Sequence, residues 1–389
     1  MAAKLFWIAV IWAGYVYLGY PLALKLLALF RRVRPQARED FYPAVSVLLA
    51  ARNEEKDIGW KVSETLAWDY PAEKLELLVV SDASEDKTDD ILRGFNDPRL
   101  KVIRVEKRGG KGAALNRLAQ IAGGELLFFT DANTHIPAGC LKRMVRHFAD
   151  QRVGCVTGRT SSEPVQDAEV GSGGRLYLGY ETTISQLESR LGSVLVCDGA
   201  IFCIRGALFH PLNPDLANDL ELPMRIGRAG YWVLHEPGAA AFERDTSSAW
   251  ESFKQRRRIS AQGMLAMWKL RGTLRGLRGW QFVSRKFLRW LTIVPLLLAL
   301  VTVITLGGPF YRAVLALQVL FYLGALFGFV LSLRKHDSGG FVSVPFYVVL
   351  SSLAALVGVI DACLGKRFAV WEIPTLSRGG DGTTWQKVG

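Results

Sequence analysis

Residues Leu5–Leu24 form one charge-free apolar run, close to the roughly 20 residues a helix needs to cross a bilayer. Three further runs of similar length fill the last third of the chain, at Phe287–Leu306, Phe310–Leu331 and Phe341–Ile360. Apolar content concentrated at the two ends points to membrane segments around a soluble middle, from about Tyr42 to Ala240, that folds as an α/β body.

Charge sets the expected orientation. Arg31, Arg32, Arg34 and Arg38 follow the first run, and basic flanks mark the cytosolic side. A cleaved signal peptide fits less well, because only Lys4 precedes the run and no small-x-small site follows it. Gly307-Gly308-Pro309 supplies a turn between the second and third runs, and Arg334, Lys335 and His336 mark a cytosolic loop before the fourth. Four spans would put the tail outside, whereas Lys366 and Arg367 favour the inside, and a re-entrant run would reconcile the two. The expected location is the cell (inner) membrane, multi-pass, with the middle domain cytosolic.

The formal net charge of +12 raises nucleic acid as a partner. However, the Lys and Arg gather where the apolar runs begin and end, which suits anionic lipid better, so no nucleic-acid partner is expected. The five cysteines, Cys140, Cys155, Cys197, Cys203 and Cys363, contain no C-x-x-C pair, which argues against a zinc site or a disulfide framework.

The middle of the chain alternates short Val/Leu/Phe runs with amphipathic stretches. Val45–Ala51, Leu75–Ser81, Lys101–Val105 and Glu125–Thr130 read as buried strands. Glu54–Ala67, Asp86–Phe95, Lys111–Ile121 and Ala138–Ala149 read as the helices between them. That alternation predicts βαβ units and a mostly parallel sheet covered on both faces, with a ligand crevice at the C-terminal strand ends. Ala249 to Trp290 then mixes Trp250, Phe253, Trp268, Trp280 and Trp290 with many Arg and Lys, the composition of helices lying in a membrane interface.

Two acidic residues stand directly after strands, Asp82 and Asp131. A lone Asp there often caps the next helix; two on neighbouring strand ends point to a ligand. Asp131-Ala132-Asn133 offers two oxygen-bearing side chains for one hard divalent cation, Mg2+ or Mn2+. Such a cation would neutralise a nucleotide diphosphate and stabilise its departure. Arg108-Gly109-Gly110-Lys111-Gly112 precedes a helix, so its amides and Lys111 could meet phosphate; a plain flexible turn explains the glycines equally well. It is not a P-loop, because Gly112 follows the lysine.

These residues fall in an ordered set: Ala50-Ala51-Arg52-Asn53-Glu54, Ser81-Asp82-Ala83-Ser84, Gly110-Lys111-Gly112, Thr130-Asp131-Ala132-Asn133, Cys197-Asp198-Gly199, Asn218-Asp219-Leu220 and Gln255-Arg256-Arg257-Arg258. The set resembles the family-2 inverting glycosyltransferases of GT-A fold, especially the membrane-integrated branch that includes the hyaluronan, chitin, cellulose and poly-N-acetylglucosamine synthases. The resemblance covers about Val45 to Gly263 together with the flanking membrane runs. It implies a GT-A, Rossmann-like, mostly parallel domain over residues 40–245, behind an anchor at 1–30. Interfacial helices at 246–286, three spans within 287–362 and a tail at 363–389 would follow.

The resemblance also implies roles. Ala51, Arg52 and Glu54 lie in the loop that holds the nucleobase, and Asp82 beside the nucleoside. Lys111 is on the donor side, Asp131 and Asn133 are the metal pair, and Asp219 is the general base. Gln255 and Arg258 belong near the diphosphate and acceptor, with Cys197 and Gly199 on the acceptor side. Taken alone, Asp219 would read as a helix cap, and Gln255 with Arg258 as a solvated basic face. The donor implied is a nucleotide-sugar with UDP as its nucleotide, and the acceptor a growing glycan or a lipid-linked one in cell-surface polysaccharide synthesis; the alternatives are a non-processive glycolipid-forming transferase and a catalytically inactive membrane subunit. Secretion or synthase partner subunits are a further expectation of the likeness. Three positions depart from the pattern: Asn133 for the second Asp of D-x-D, Asn218 for the Glu before the base, and Ile259 for the Trp of Q-x-x-R-W. The last puts processive synthesis in doubt, because an aliphatic side chain lacks the flat face on which a sugar stacks.

Overall fold

The computed structural model describes residues 1–162, 172–243, 249–333 and 342–368. Arg334, Lys335, His336 and nearly all of the tail lie outside them. The chain opens with α1 (Ala2–Phe30). It continues through β1 (Val45–Ala51), α2 (Ile58–Leu66), β2 (Leu75–Asp82), α3 (Thr88–Arg93), β3 (Leu100–Val105), α4 (Gly110–Ile121), β4 (Leu126–Thr130), the two-residue β5 (Thr134–His135) and α5 (Cys140–Val145). Then come β6 (Val153–Ser162), α6 (Ser172–Arg190), β7 (Ile201–Arg205), α7 (Asn218–Arg228), β8 (Trp232–Glu243) and α8 (Ala249–Lys269). The chain closes with α9 (Gly276–Trp290), α10 (Ile293–Ile304), α11 (Pro309–Leu333) and α12 (Ser343–Cys363). It divides into two compact units. One holds residues 1–30, 164–184 and 245–368; the other holds 31–163, 185–244 and 369–389.

The second unit is built on one eight-stranded sheet, in the order β3-β2-β1-β4-β7-β6-β8-β5. β3, β2, β1 and β4 run parallel. β7 pairs antiparallel with both β4 and β6, β6 pairs parallel with β8, and β5 pairs antiparallel with β8. The four strands read from the sequence are therefore the parallel half of a mixed sheet.

The period-2 geometry of a strand explains why β1 is apolar throughout. Val45, Val47 and Leu49 face one way and pack with Ile58 and Val62 of α2, Leu92 of α3 and Leu141 and Met144 of α5. Leu48 faces the other way, into a cluster with Ala114, Leu115 and Leu118 of α4 and Leu222 and Ile226 of α7. A strand covered on both faces has no polar side to show. β3 is the exception at the sheet edge, where Lys101 and Arg104 blunt an otherwise open strand.

Three helices are shorter than their periodicity predicts, among them α3, which spans Thr88–Arg93 rather than Asp86–Phe95. α2 begins at Ile58 rather than Glu54, because residues 53–55 are tied to the loop after β2. The Glu54 amide donates to Thr88 Oγ1 (2.8 Å) and the Glu55 amide to Asp86 Oδ2 (3.1 Å). The stretch Ala138–Ala149 forms α5 only over Cys140–Val145 and tightens into a 3-10 turn at Arg146–Ala149.

In the first unit, three helices among the described residues are long and apolar enough to cross a membrane: α1, α11 and α12. The run Phe287–Leu306 is not one straight helix. Its residues are shared between α9 and α10, which meet at a bend of 57° and pass the test only as a pair. α8 packs against α12 most closely at Gly358, where any side-chain carbon would collide with the Arg257 carbonyl and Ser260 Oγ. Asp361 of α12 pairs with Arg257 of α8 and, at 2.8 Å, with Lys366.

Candidate active site

The C-terminal ends of β1 and β2 carry two non-glycine residues in the left-handed region, Asn53 (φ 51°) and Ala83 (φ 53°). That conformation is costly for alanine, and such strain concentrates at functional sites. Here it turns two loops toward each other. Arg52 donates through Nη1 to the carbonyls of Asp82 (3.1 Å) and Ala83 (3.2 Å) and pairs through Nη2 with Glu85. The Asn53 amide donates to Ser84 Oγ, and the Glu85 amide to Asn53 Oδ1. Ala51 and Glu54 are buried beside this lacing.

Asp82 accepts two backbone bonds, from the Gly109 amide to Oδ1 and the Gly110 amide to Oδ2, both 2.8 Å. The glycine-rich segment is thus neither a loose turn nor an open phosphate cradle: two of its amides are held by Asp82. What it presents is Lys111, whose Nζ lies 2.5 Å from Asp131 Oδ1. Asp82, Lys111 and Asp131 are brought together as one chain of contacts across β2, α4 and β4. Asn116 of α4 exchanges two bonds with the Leu212 backbone, which pins the loop leading into α7.

Asp219 stands in the first turn of α7, one residue past Asn218, while the capping position is Ala217. It is therefore not the helix cap, although a carboxylate in the first turn is stabilised by the helix dipole. The Cys197 amide donates to the Asp219 carbonyl (2.9 Å). A side-chain carbon at Gly199 would sit 3.5 Å from Asp219 Oδ2, in ordinary contact with it. Cys197 Sγ lies 3.4 Å from Cys155 Sγ, and burial pushes the Cys197 thiol well above its usual range.

Two carboxylates join this group that sequence reasoning did not single out. Asp198 accepts from the Thr160 amide (2.6 Å), Thr160 Oγ1 (2.7 Å) and the Ala200 amide (3.2 Å). Glu243, the last residue of β8, accepts from Thr134 Oγ1 at 2.8 Å. Burial raises the pKa of both, and the Asp131 charge raises each further; Glu243 is pushed up to about 7, with Asp198 adding to the repulsion. Asp198 sat inside a quoted motif. Glu243 was invisible, because only the β5–β8 pairing, with Thr134 opposite Glu243, brings it to the Asp131 loop.

The gathering of Glu243 and Asp198 near the Asp131 turn, where Glu243 meets Thr134, fits a divalent cation here. The donors at the turn, the Asp131 carboxylate and the Asn133 amide oxygen, are all-oxygen and hard, as Mg2+ or Mn2+ prefers. Among the described residues no three His, Cys, Asp or Glu side chains form a ready-made metal cage. An Mg2+ or Mn2+ ion commonly takes one or two protein groups plus substrate phosphate. Gln255 and Arg258 lie on α8, in the unit of apolar helices, one helical turn apart.

Residues 46–207 match the family model for glycosyl transferase family 2. The chain is 27% identical over 261 residues to a beta-monoglucosyldiacylglycerol synthase of Synechocystis sp., an alignment covering 64% of this chain and 52% of that protein. It is 31% identical over 232 residues to a poly-beta-1,6-N-acetyl-D-glucosamine synthase of Staphylococcus epidermidis, covering 56% of this chain and 54% of that one. The chain thus spans about half the length of these curated relatives. Among solved structures it resembles a mannosyltransferase from Pyrobaculum calidifontis in complex with GDP-Man and Mn2+. That likeness has a TM-score of 0.74 and 19% identity, and it covers 94% of this chain and 100% of that one. The carboxylate-rimmed sheet of this chain accordingly has the GT-A fold, and its segment 46–207 resembles glycosyl transferase family 2.

Proposed function

We propose that the chain transfers a sugar, with inversion, from a nucleotide-sugar with UDP as its nucleotide to a lipid-linked acceptor at the cytosolic face of the membrane. The observation that carries this reading is the convergence of Asp82, Lys111 and Asp131 at the strand ends, together with Asp219 beside Gly199. In this reading Arg52, Asn53 and Asp82 shape the nucleoside end of the crevice. Lys111 meets the diphosphate once that group competes for its ammonium. Asp131 and Asn133 would hold Mg2+ or Mn2+, which when bound offsets the charge of the leaving diphosphate. Asp219 accepts the proton of the attacking hydroxyl, a task that needs a carboxylate within hydrogen-bond reach of the acceptor. Gly199 leaves the acceptor room to approach it.

A lipid-linked acceptor and a single transfer are supported by Ile259, which puts an aliphatic side chain where a stacking ring would hold a growing glycan. They are supported too by the glycolipid synthase among the relatives, and by the helices α1, α11 and α12. The test uses the full chain in lipid nanodiscs with a panel of UDP- and GDP-sugars, with and without Mn2+, and products resolved by size. One or two sugars on lipid, made from a UDP-sugar, is the expected result. A long polymer would overturn the single-transfer reading, and no transfer from any donor would overturn the activity.

A further inference from the structure

We propose that Lys61 is a positioning residue: from α2 it fixes the turn that presents Asp131 and Asn133, and so sets the affinity of that pair for a divalent cation. This inference rests on the metal role proposed above for those two residues.

Lys61 is fully buried in the sheet domain, a costly place for an ammonium group. Burial lowers its pKa, while Glu64, Asp131 and Glu243 favour its charged form. Its Nζ donates to the Thr134 carbonyl at 2.6 Å and approaches Glu64 Oε2 at 3.3 Å. Lys61 does not act alone. Glu64 Oε1 accepts from the Ile136 amide at 3.0 Å and pairs with His135. Trp68 Nε1 donates to the Ile136 carbonyl at 3.1 Å. Lys61, Glu64 and Trp68 are spaced three and four apart, on one side of the helix and its extension, and together they grip three consecutive residues. Those residues begin directly after Asn133, and the Thr134 amide closes the turn back onto the Asp131 carbonyl. On the other side Glu243 holds the Thr134 hydroxyl.

Stability alone is a poor reason for this arrangement. A buried ion pair is commonly matched or bettered by apolar residues of similar volume. A methionine would fill the space of Lys61 without its desolvation cost. What a methionine cannot do is hold the Thr134 carbonyl. Ion-binding groups lose affinity when the residues behind them are removed, by about 10- to 100-fold in known metal sites.

Two effects of removing Lys61 have opposite signs, which makes the idea testable. Taking a positive charge away from Asp131 should tighten a cation by electrostatics alone. Losing the grip on the turn should weaken it. The experiment is a Mn2+ titration of the full chain in nanodiscs with UDP present, with free Mn2+ read by electron paramagnetic resonance, for wild type and Lys61→Met. A rise in the Mn2+ dissociation constant of about tenfold is expected. The paired variant Lys61→Met/Glu64→Gln, which leaves no lone carboxylate buried, should recover thermal stability yet keep the weakened Mn2+ binding. If the single variant does not fold, the paired one carries the comparison. Unchanged or tighter Mn2+ binding in a folded variant would overturn the role of Lys61 while leaving the metal site standing. Wild-type protein that binds no Mn2+ would overturn the metal role and this inference with it.

Discussion

The parallel half of the sheet and the mixed half hold their carboxylates in different ways. On β2, each Asp82 oxygen accepts one amide, from Gly109 and Gly110, which fixes the glycine loop against it. On the mixed half, Asp198 and Glu243 crowd the Asp131 charge, and Asp219 lies beside the side-chain-free Gly199. In the proposed function the difference separates two tasks. The parallel half would build the donor seat, whereas the mixed half would supply the base.

The sharpest way to break this comparison is Asp219→Asn. Transfer should fall by about 10²- to 10⁴-fold, the range typical of a general base, while UDP affinity and thermal stability stay near wild type. Unchanged turnover would remove the reactive role from the mixed half. Asp82→Ala tests the seat. It leaves the Gly109 and Gly110 amides without their acceptor, and bonds to a charged group contribute about 1.5–3 kcal/mol each. UDP binding by calorimetry should weaken about tenfold with the acceptor KM unmoved; an acceptor effect instead would merge the two halves. Gly199→Ala should fold normally, because the added carbon meets Asp219 at ordinary contact distance. A severalfold rise in acceptor KM with unchanged donor KM is the expected split.

The smallest effect concerns stability. Burial opposes ionisation of Glu236 on β8, but His147, the Gly238 amide and Arg146 outweigh it and hold the group down to about 2. A depressed carboxyl pKa means that the unfolded chain binds the proton more readily than the folded one. Its contribution is therefore full above the ordinary carboxylate range and fades as pH falls from about 4.5 toward 2. Glu236→Gln should flatten the melting temperature against pH across that window. An unaltered slope would show that other carboxylates dominate acid unfolding.

The same division marks what could be read from the sequence. β1, β2 and β4 were legible because strands buried on both faces are apolar without interruption, as Val45–Ala51 is. The segment from Cys197 to Glu243 was not read as strands, because its pairing depends on partners far along the chain: β7 with β4 and β6, β8 with β6 and β5. Asp82 and Asp131 announced themselves by following strands, and Asp219 only by its place in an ordered motif set. Lys61 gave no signal, since a lysine in an amphipathic helix ordinarily faces water. Its burial follows from which face of α2 meets the turn after Asn133, a fact of tertiary packing.

The close approach of α8 to α12 at Gly358 makes the two helices one mechanical piece. A thinner or thicker bilayer is accommodated largely by helix tilt. With no side chain between them, and with Asp361 clamped on Arg257, the two helices tilt as one piece. Gln255 and Arg258, on α8, therefore move with α12 whenever its tilt changes.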